Sequence, residues 1–419
     1  MRYAVPSNSN NTISKEQLEA IEEIPPGLLD GLTVFRFAHM LKQATGGGVE
    51  AYLWNLNRVL LERNRMRILQ MYLVPVEGQA EIITERVGRG ELVWIPSVLT
   101  TIPAEQMSYV KRFKERLRRR TVSETVVNHE ILLSKLADYR PVLGVFHWIS
   151  QDSKRVIHYL REKSIPLVVI NHFDNMRLKR RMIRQQVSLI RAVAGVSEVA
   201  VPGFLRNRFT NLSDGIETDF FHPQKANPPD RETKDSVIFF PARICEEKGH
   251  LDAVKVFGRL ARSTVKAVLV CAGREGSRGF MQKLLAAIAE EGAGERVIFV
   301  GELSPEDLRD WYAASDIVIL PSYSEGLGRV LLEGQAMERP VLAYDVGGVR
   351  EAMREGITGF LIKKGDIDGL ATRLQYLLRE EKSHRTAMGK LGREFVVDRF
   401  SLDALAGRHE RFYAGALER

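Results

Sequence analysis

DIVILPSYSEGLGRVLLE, residues 316–333, runs from an apolar strand through Ser, Tyr and Gly directly into a helix that carries Leu331 and Leu332. The backbone N–H groups of Gly326, Leu327 and Gly328 are expected to gather where that helix starts. Unpaired amides and the positive end of the helix dipole there suit a diphosphate, and glycine removes the Cβ that would hold the anion away. Two carboxylates flank the loop with seven residues between them, Glu325 just before the helix and Glu333 inside it. Carboxylates accept hydrogen bonds from sugar and ribose hydroxyls, so one can read a sugar and the other a nucleoside. Two glutamates at this spacing are common by chance, so the surrounding sequence has to carry the reading.

Working outward, FFPARICEEKGHLDAV (239–254) places Arg243 and Lys248 where a strand gives way to the next helix. Two cations at a strand's carboxyl end can neutralise a diphosphate leaving group, through charge-assisted bonds of about 1.5–3 kcal/mol each. Further strands are expected at 236–242, 266–272, 296–300, 316–321, 340–344 and 359–362, with helical patterns between them. Before them, 211–235 is rich in Asp, Asn, Thr and Pro and reads as a linker. Nearer the start, apolar runs at 32–39, 66–74, 93–98, 142–147 and 167–171 read as strands. A Gly46-Gly47-Gly48 turn follows the first of them and leads into a helix over 49–62. Strands alternating with helices imply parallel sheets. The fold class is therefore α/β: two doubly wound, Rossmann-like domains with parallel sheets that face a cleft, ligands being expected at the carboxyl ends of the strands.

At this point the residues resemble a known family. SEGLGRVLLEGQAMERPVLAYD (324–345), then Gly347-Gly348 and EGITGF (355–360), resemble the donor-binding half of the retaining glycosyltransferases of family 4, whose fold is called GT-B. Arg243-x4-Lys248-Gly249 is similar to their paired cations, and Glu325 and Glu333 to their two glutamates, which bind donor sugar and ribose respectively. The stretch 213–223, with Ser213-Asp214-Gly215-Ile216-Glu217, resembles the family's linker motif. Gly47-Gly48-Val49-Glu50 resembles the glycine loop that reaches the donor phosphates, and PLVVINH (166–172) the strand whose terminal His172 points into the active site. The likeness covers about residues 31–400, but AGREGSRG (272–279) replaces the family's Gly-Asp-Gly-Pro turn, and 78–130 matches no family segment.

The resemblance implies an acceptor-binding domain over 31–213 after an extension over 1–30, a donor-binding domain over 214–399, and a closing helix over 400–419 that packs back on the N-terminal domain. It also implies retention of anomeric configuration, no metal, and no cofactor beyond a nucleoside-diphosphate sugar as substrate. Arg243, Lys248, Glu325 and His172 are the candidate catalytic residues; Gly47, Gly48, Gly326, Leu327, Gly328 and Glu333 the candidate donor contacts. No carboxylate stands out as the covalent nucleophile of a retaining glycosidase, and the resemblance points to a front-face reaction in which the departing phosphate deprotonates the acceptor.

Composition bounds the rest. The 419 residues exceed one comfortable core, and a hydrophobic share of 44% with 27% charged residues is that of a globular protein. Cys245 and Cys271, both in apolar strand-like runs, read as buried thiols of a cytosolic chain. The first eleven residues are polar, so no secretion signal is expected, and no apolar run approaches the roughly 18 residues that span a bilayer. The net charge of +8 is concentrated: residues 101–191 hold 19 Lys+Arg against 8 Asp+Glu. Within them Met107, Val110, Phe113 and Leu117 fall at helical spacing among Lys111, Arg112, Arg118 and Arg119, a pattern that fits either a helix lying on an anionic membrane or an ordinary surface helix. Arg180 and Arg181 belong to a second basic cluster near His172, which suits a phosphorylated or lipid-linked acceptor. The expected partners are thus a nucleotide sugar, a glycan or lipid-linked acceptor and an anionic membrane surface at 107–120, with a cytoplasmic location at the inner face of the cell membrane. Rival readings are another GT-B nucleotide-sugar enzyme, an epimerase or phosphorylase, and a nucleic-acid-binding α/β protein. The basic runs lack the interleaved aromatics of a stacking platform, and the first glycine loop lacks the spacing of a dinucleotide fingerprint.

Overall fold

The computed structural model describes residues 26–38, 48–74, 79–103, 123–147, 149, 152–171, 180–195, 201–212, 215–230 and 235–418. The first sheet is built from β1 (Thr33–Phe37), β2 (Arg67–Val74), β3 (Ile83–Val87), β4 (Gly90–Pro103), β5 (Ser123–Asn128), β6 (Leu143–Phe146), β7 (Leu167–Asn171), β8 (Ile190–Gly195) and β9 (Phe209–Asn211). Between them lie α1 (Gly48–Arg63), α2 (Glu130–Tyr139), α3 (Lys154–Glu162) and α4 (Arg180–Arg184). Among the described residues the strand order is β3-β4-β2-β1-β6-β7-β8-β9, with β5 on the far half of β4.

The strands read as unbroken apolar runs because both faces are covered. Val34, Ile68, Trp94, Val145 and Val168 pack with Tyr52, Leu53, Leu56 and Leu60 of α1. Their neighbours Phe35, Leu69, Val93, Phe146 and Val169 point the other way, onto Leu132 and Leu136 of α2 and Val156 and Leu160 of α3. Successive strand residues thus serve opposite layers, as period-two geometry requires.

The parallel core carries an antiparallel margin. β4 pairs parallel with β2 over Glu91–Val98, antiparallel with β3, and antiparallel with β5 over Val98–Pro103. This margin lies in the stretch 78–130 that resembles no family segment. β3 reads ITERV with alternate residues exposed, so it offers no apolar run for a sequence pattern to catch.

The second sheet holds β10 (Ser236–Pro241), β11 (Ala267–Ala272), β12 (Val297–Gly301), β13 (Ile317–Leu320), β14 (Val341–Tyr344) and β15 (Gly359–Ile362), with α5 (His250–Ala261), α6 (Phe280–Glu290), α7 (Pro305–Ala314), α8 (Arg329–Ala336) and α9 (Ile367–Arg379) between or after them. Among the described residues its order is β12-β11-β10-β13-β14-β15, every pair parallel. The chain winds outward from β10 to β12 and then restarts at β13 on the other side of β10. The loops after β10 and β13 therefore part at a topological switch point, where a crevice opens.

Two final helices, α10 (Lys382–Phe400) and α11 (Leu402–Glu418), close the chain. Ile216 N–H donates to the Phe400 carbonyl at 2.8 Å, so the chain crosses between the units twice, side by side. α11 then packs Leu405, Ala406, Phe412, Tyr413 and Ala416 into the core beside α1. Polar groups fix this seam: Glu410 accepts from Arg63 Nε at 2.9 Å and Asn64 Nδ2 at 2.7 Å, Tyr52 Oη lies 2.6 Å from His409 Nε2, and Arg36 donates to Tyr413 at 3.0 Å and to Asn57. At the other side Asn211, where β9 ends, donates to Glu351 at 2.7 Å, joining the carboxyl edge of the first sheet to the loops of the second.

Candidate active site

β10 ends at Pro241 and the chain turns through Ala242, Arg243 and Ile244. Ile244 N–H donates to the Arg274 carbonyl, and Gly276 N–H donates back to the Ile244 carbonyl, each at 2.9 Å. Arg243 is thereby held against the 272–279 loop, the place where the chain departs from the family turn. Its side chain is exposed and makes no ion pair among the described residues. Cys245, placed in a strand-like run by its apolar neighbours, instead caps the short turn that follows and is buried and unpaired. Cys271 does lie in a strand, β11, where burial pushes its thiol up to about 12.

The turn Glu246–Lys248 and the loop after β13 are sewn together. Tyr323 N–H donates to the Glu247 carbonyl at 2.8 Å. Gly249, at φ +79°, sits so close that a Cβ there would overlap the Pro321 carbonyl oxygen. This seam brings Lys248 Nζ to 2.6 Å from Glu325 Oε1, with 18% and 13% of the two side chains exposed. Residues 77 apart in sequence thus form one half-buried pair. A third segment leans on the same loop: Gly348 N–H donates to the Gly326 carbonyl at 3.0 Å, and a Cβ on Gly347 would overlap the Glu325 carbonyl oxygen.

Beyond Glu325 the backbone is open. The N–H groups of Gly326, Leu327 and Gly328 have no acceptor among the described residues. Gly328, at φ +83°, starts α8 without a side-chain cap, so unpaired donors and the positive end of the helix dipole coincide beside Lys248. The Leu327 side chain itself is buried in the core.

Glu333 lies one helix turn farther in, 7% exposed. Its partners are Tyr312, whose hydroxyl donates to Oε2 at 2.9 Å, and Arg329, 3.9 Å from Oε1; neither Lys248 nor Glu325 is among them. Arg329 also donates to the Gly215 carbonyl of the linker at 3.2 Å. Burial, and then the Glu333 carboxylate, hold the Tyr312 phenol well above its ordinary range, so it stays a donor.

Three supporting residues escape the motif reading. Asp252, four positions after Lys248 and on the first turn of α5, accepts from Tyr323 at 2.7 Å and from Tyr344 at 2.8 Å. Its carboxylate first, and burial second, push Tyr323 up to about 12. Helical spacing from Lys248 is the signal that marks Asp252; Tyr344 carries none. His250 stacks on Phe240 with ring centroids 4.2 Å apart and lies 3.3 Å from the Cys245 carbonyl through Nδ1. The carbonyl only accepts, so Nδ1 carries the proton. Burial pushes His250 down to about 4.

Other candidates lie elsewhere. His172, Gly47, Lys111, Arg112, Arg118 and Arg119 fall outside the described residues. Gly48 opens α1, Asn171 closes β7 just before His172, and Arg180 and Arg181 open α4, with Arg181 exposed. Among the described residues no group of three or more His, Cys, Asp and Glu is placed to hold a metal ion, and no helix is long and apolar enough to cross a membrane.

Two solved structures share this architecture. A glycosyltransferase from Rickettsia africae ESF-5 superimposes with a TM-score of 0.66 at 17% identity, covering 93% of this chain and 99% of that one. The Anabaena protein Alr3699/HepE, solved in complex with UDP, does so with a TM-score of 0.65 at 16% identity over 90% and 97%. The fold is GT-B. Within this GT-B chain, residues 222–395 match the model of the family described as Glycosyl transferases group 1. The D-inositol 3-phosphate glycosyltransferase of Mycobacterium sp. (strain KMS) is 35% identical over 179 residues, 41% of this chain and 40% of that protein, so the chain spans less than half the length of that curated relative. Arg243, Lys248, Glu325–Gly328 and Glu333 all lie inside the matched segment, and the whole first sheet lies outside it.

Proposed function

We propose that this chain is a retaining glycosyltransferase that moves a sugar from a nucleoside diphosphate to a glycan or lipid-linked acceptor in the synthesis of cell-surface polysaccharide or glycolipid. The observation that carries the reading is the Lys248–Glu325 pair beside three amides without acceptors among the described residues. An ammonium has three N–H donors. One serves Glu325, which leaves two for phosphate oxygens while the Gly326–Gly328 amides take others. As the bond from the anomeric carbon to the β-phosphate oxygen breaks, the electron pair moves onto that oxygen, and these donors together with Arg243 stabilise the charge. Groups of this kind contribute about 10²–10³ in rate each.

The remaining roles follow the same chemistry. Glu325 Oε2 is available to accept from a donor-sugar hydroxyl. Glu333, oriented by Tyr312, is suited to the ribose. His172 and the Gly47-Gly48 loop are assigned to sugar or acceptor and to the phosphates through the family resemblance. Retention by a front-face route and metal independence are both supported by that resemblance. No resident cofactor is required. The match to a glycosyl transferase model gives the epimerase, phosphorylase and nucleic-acid readings no support. A cytoplasmic location is supported by the two free thiols, Cys245 and Cys271, and a membrane-peripheral one by the basic, amphipathic composition of 107–120.

The test is a thermal-shift screen of nucleoside diphosphates and their sugars, in which a ligand at 100 times its Kd adds about 2.7 kcal/mol. The donor found is then supplied with candidate acceptors with and without EDTA, and the product's anomeric configuration is read by NMR. A screen in which no nucleoside diphosphate raises the Tm, or raises it equally in Lys248→Ala, ends the donor-site reading. An inverted product or complete loss in EDTA ends the finer claims.

A further inference from the structure

At the opposite end of the first sheet, where β1, β2 and β4 begin, a pocket of about 310 Å³ is lined by four arginines, Arg65, Arg67, Arg86 and Arg89, and by one acidic residue, Glu91. Two of the four are committed. Arg67 Nη2 lies 2.6 Å from Glu91 Oε2 with its guanidinium over the Tyr139 ring, and Arg89 donates to the Arg63 carbonyl at 2.9 Å and lies 3.5 Å from Asp30. Arg65 and Arg86 are exposed, and their side chains have neither a hydrogen bond nor an ion pair among the described residues. With Asp30 counted beside Glu91, the walls keep an excess of positive charge.

The walls are fixed. Gly31 N–H donates to the Arg65 carbonyl at 2.9 Å, Arg67 N–H to Leu32 at 2.9 Å, and Glu91 N–H to Met66 at 3.0 Å, so the three strand starts are tied to one another. Gly88 takes φ +53°, and a Cβ there would lie 2.6 Å from the Glu62 Cα. The hairpin that carries Arg86 and Arg89 is thus held in one shape. β2 rises about 3.3 Å per residue, which sets this pocket roughly 20 Å or more from the carboxyl edge of its own sheet. A ligand here touches neither Lys248 nor Glu325.

We propose that this pocket is a second anion site that takes a phosphate monoester, gripped by the planar forks of Arg65 and Arg86 and centred by Arg67 and Arg89. Two guanidiniums without a partner among the described residues can match a tetrahedral oxyanion bidentately, and the volume admits a phosphate with a small polar group attached. The phosphate comes either from a soluble metabolite or from a lipid headgroup, and this ligand chemistry is independent of the reaction in the cleft.

The full chain is tested in an Arg243→Ala/Lys248→Ala background, which disables the cleft. Inorganic phosphate is titrated by calorimetry at low salt, and co-sedimentation is measured with vesicles of phosphatidic acid and of phosphatidylcholine. Adding Arg65→Ala/Arg86→Ala is expected to weaken phosphate or phosphatidic acid binding by about tenfold or more, with the Tm unchanged because both side chains are exposed. Arg65→Lys/Arg86→Lys, which keeps charge and loses the fork, is expected in between. Arginine-dependent binding of free phosphate assigns a soluble ligand, and arginine-dependent binding of phosphatidic acid vesicles alone assigns a headgroup. Binding that survives Arg65→Ala/Arg86→Ala, or no binding of either probe, overturns the site.

Discussion

Lys248 and Glu325 meet at 2.6 Å with 18% and 13% of their side chains exposed, whereas Arg63 and Glu410 meet at 2.9 Å with Glu410 wholly buried. Each pair joins segments far apart in sequence. At the seam between α1 and α11, the protein supplies the partners: Glu410 accepts from Arg63 and Asn64, His409 meets Tyr52, and Tyr413 accepts from Arg36. At the loops after β10 and β13 the partners run out among the described residues: Lys248 keeps two donors, the Gly326–Gly328 amides have no acceptor there, and the Arg243 side chain is exposed. A charge network that closes on itself holds a helix in place, and one left open keeps donors that a ligand could take. The two are told apart by counting donors and acceptors rather than by the strength of either ion pair.

The largest effect is expected at Lys248. Lys248→Ala is expected to lower kcat/KM by about 10²–10³ while the Tm moves by only a few degrees; steady-state kinetics beside a melt decide it, and near-normal turnover would remove the ligand role. The converse holds at the seam. Glu410→Ala leaves Arg63 and Asn64 without their buried acceptor and is expected to cost about 3 kcal/mol of stability, read by denaturant unfolding, with kcat per folded molecule unchanged.

His250 sharpens the contrast through pH. Its folded value of about 4 lies below the unfolded 6.5, so between these limits the unfolded chain binds the extra proton. Stability is therefore complete above about pH 6.5 and falls as pH drops toward 4, by about 3 kcal/mol in all. Unfolding midpoints against pH should show this acid limb, and His250→Phe should flatten it. The smallest effect is expected at Tyr312. Tyr312→Phe removes one charge-assisted hydrogen bond to Glu333 and should raise the donor KM roughly tenfold while leaving kcat nearly intact; a fall in kcat alone would place Tyr312 with the core rather than with Glu333.

Much of the fold is legible in the sequence because its signals are local. β7 and β15 occupy 167–171 and 359–362, the residues their apolar runs mark, and Gly328 directly precedes the first residue of α8, at the expected helix start. The antiparallel margin is not legible, since β3 is a short, half-solvated strand whose pattern matches a loop as well as a strand. Lys248, Glu325 and Glu333 are named by spacing and resemblance, and Asp252 is marked only by its helical spacing from Lys248; Tyr344 and Tyr312, which donate to Asp252 and Glu333, are not marked, because a buried polar partner leaves no periodicity in the residues around it.

Where strands alternate with helices, which loops carry glycine, and which cations and carboxylates sit beside them can be read along the chain, since all follow from backbone sterics and side-chain period over a few neighbouring residues. That Lys248 meets Glu325 across 77 positions, that α11 returns 347 positions to meet Arg63, and that four arginines line one pocket emerge with the folded chain alone. Those contacts depend on the order in which strands join a sheet, and strand order is settled by burial of the whole core.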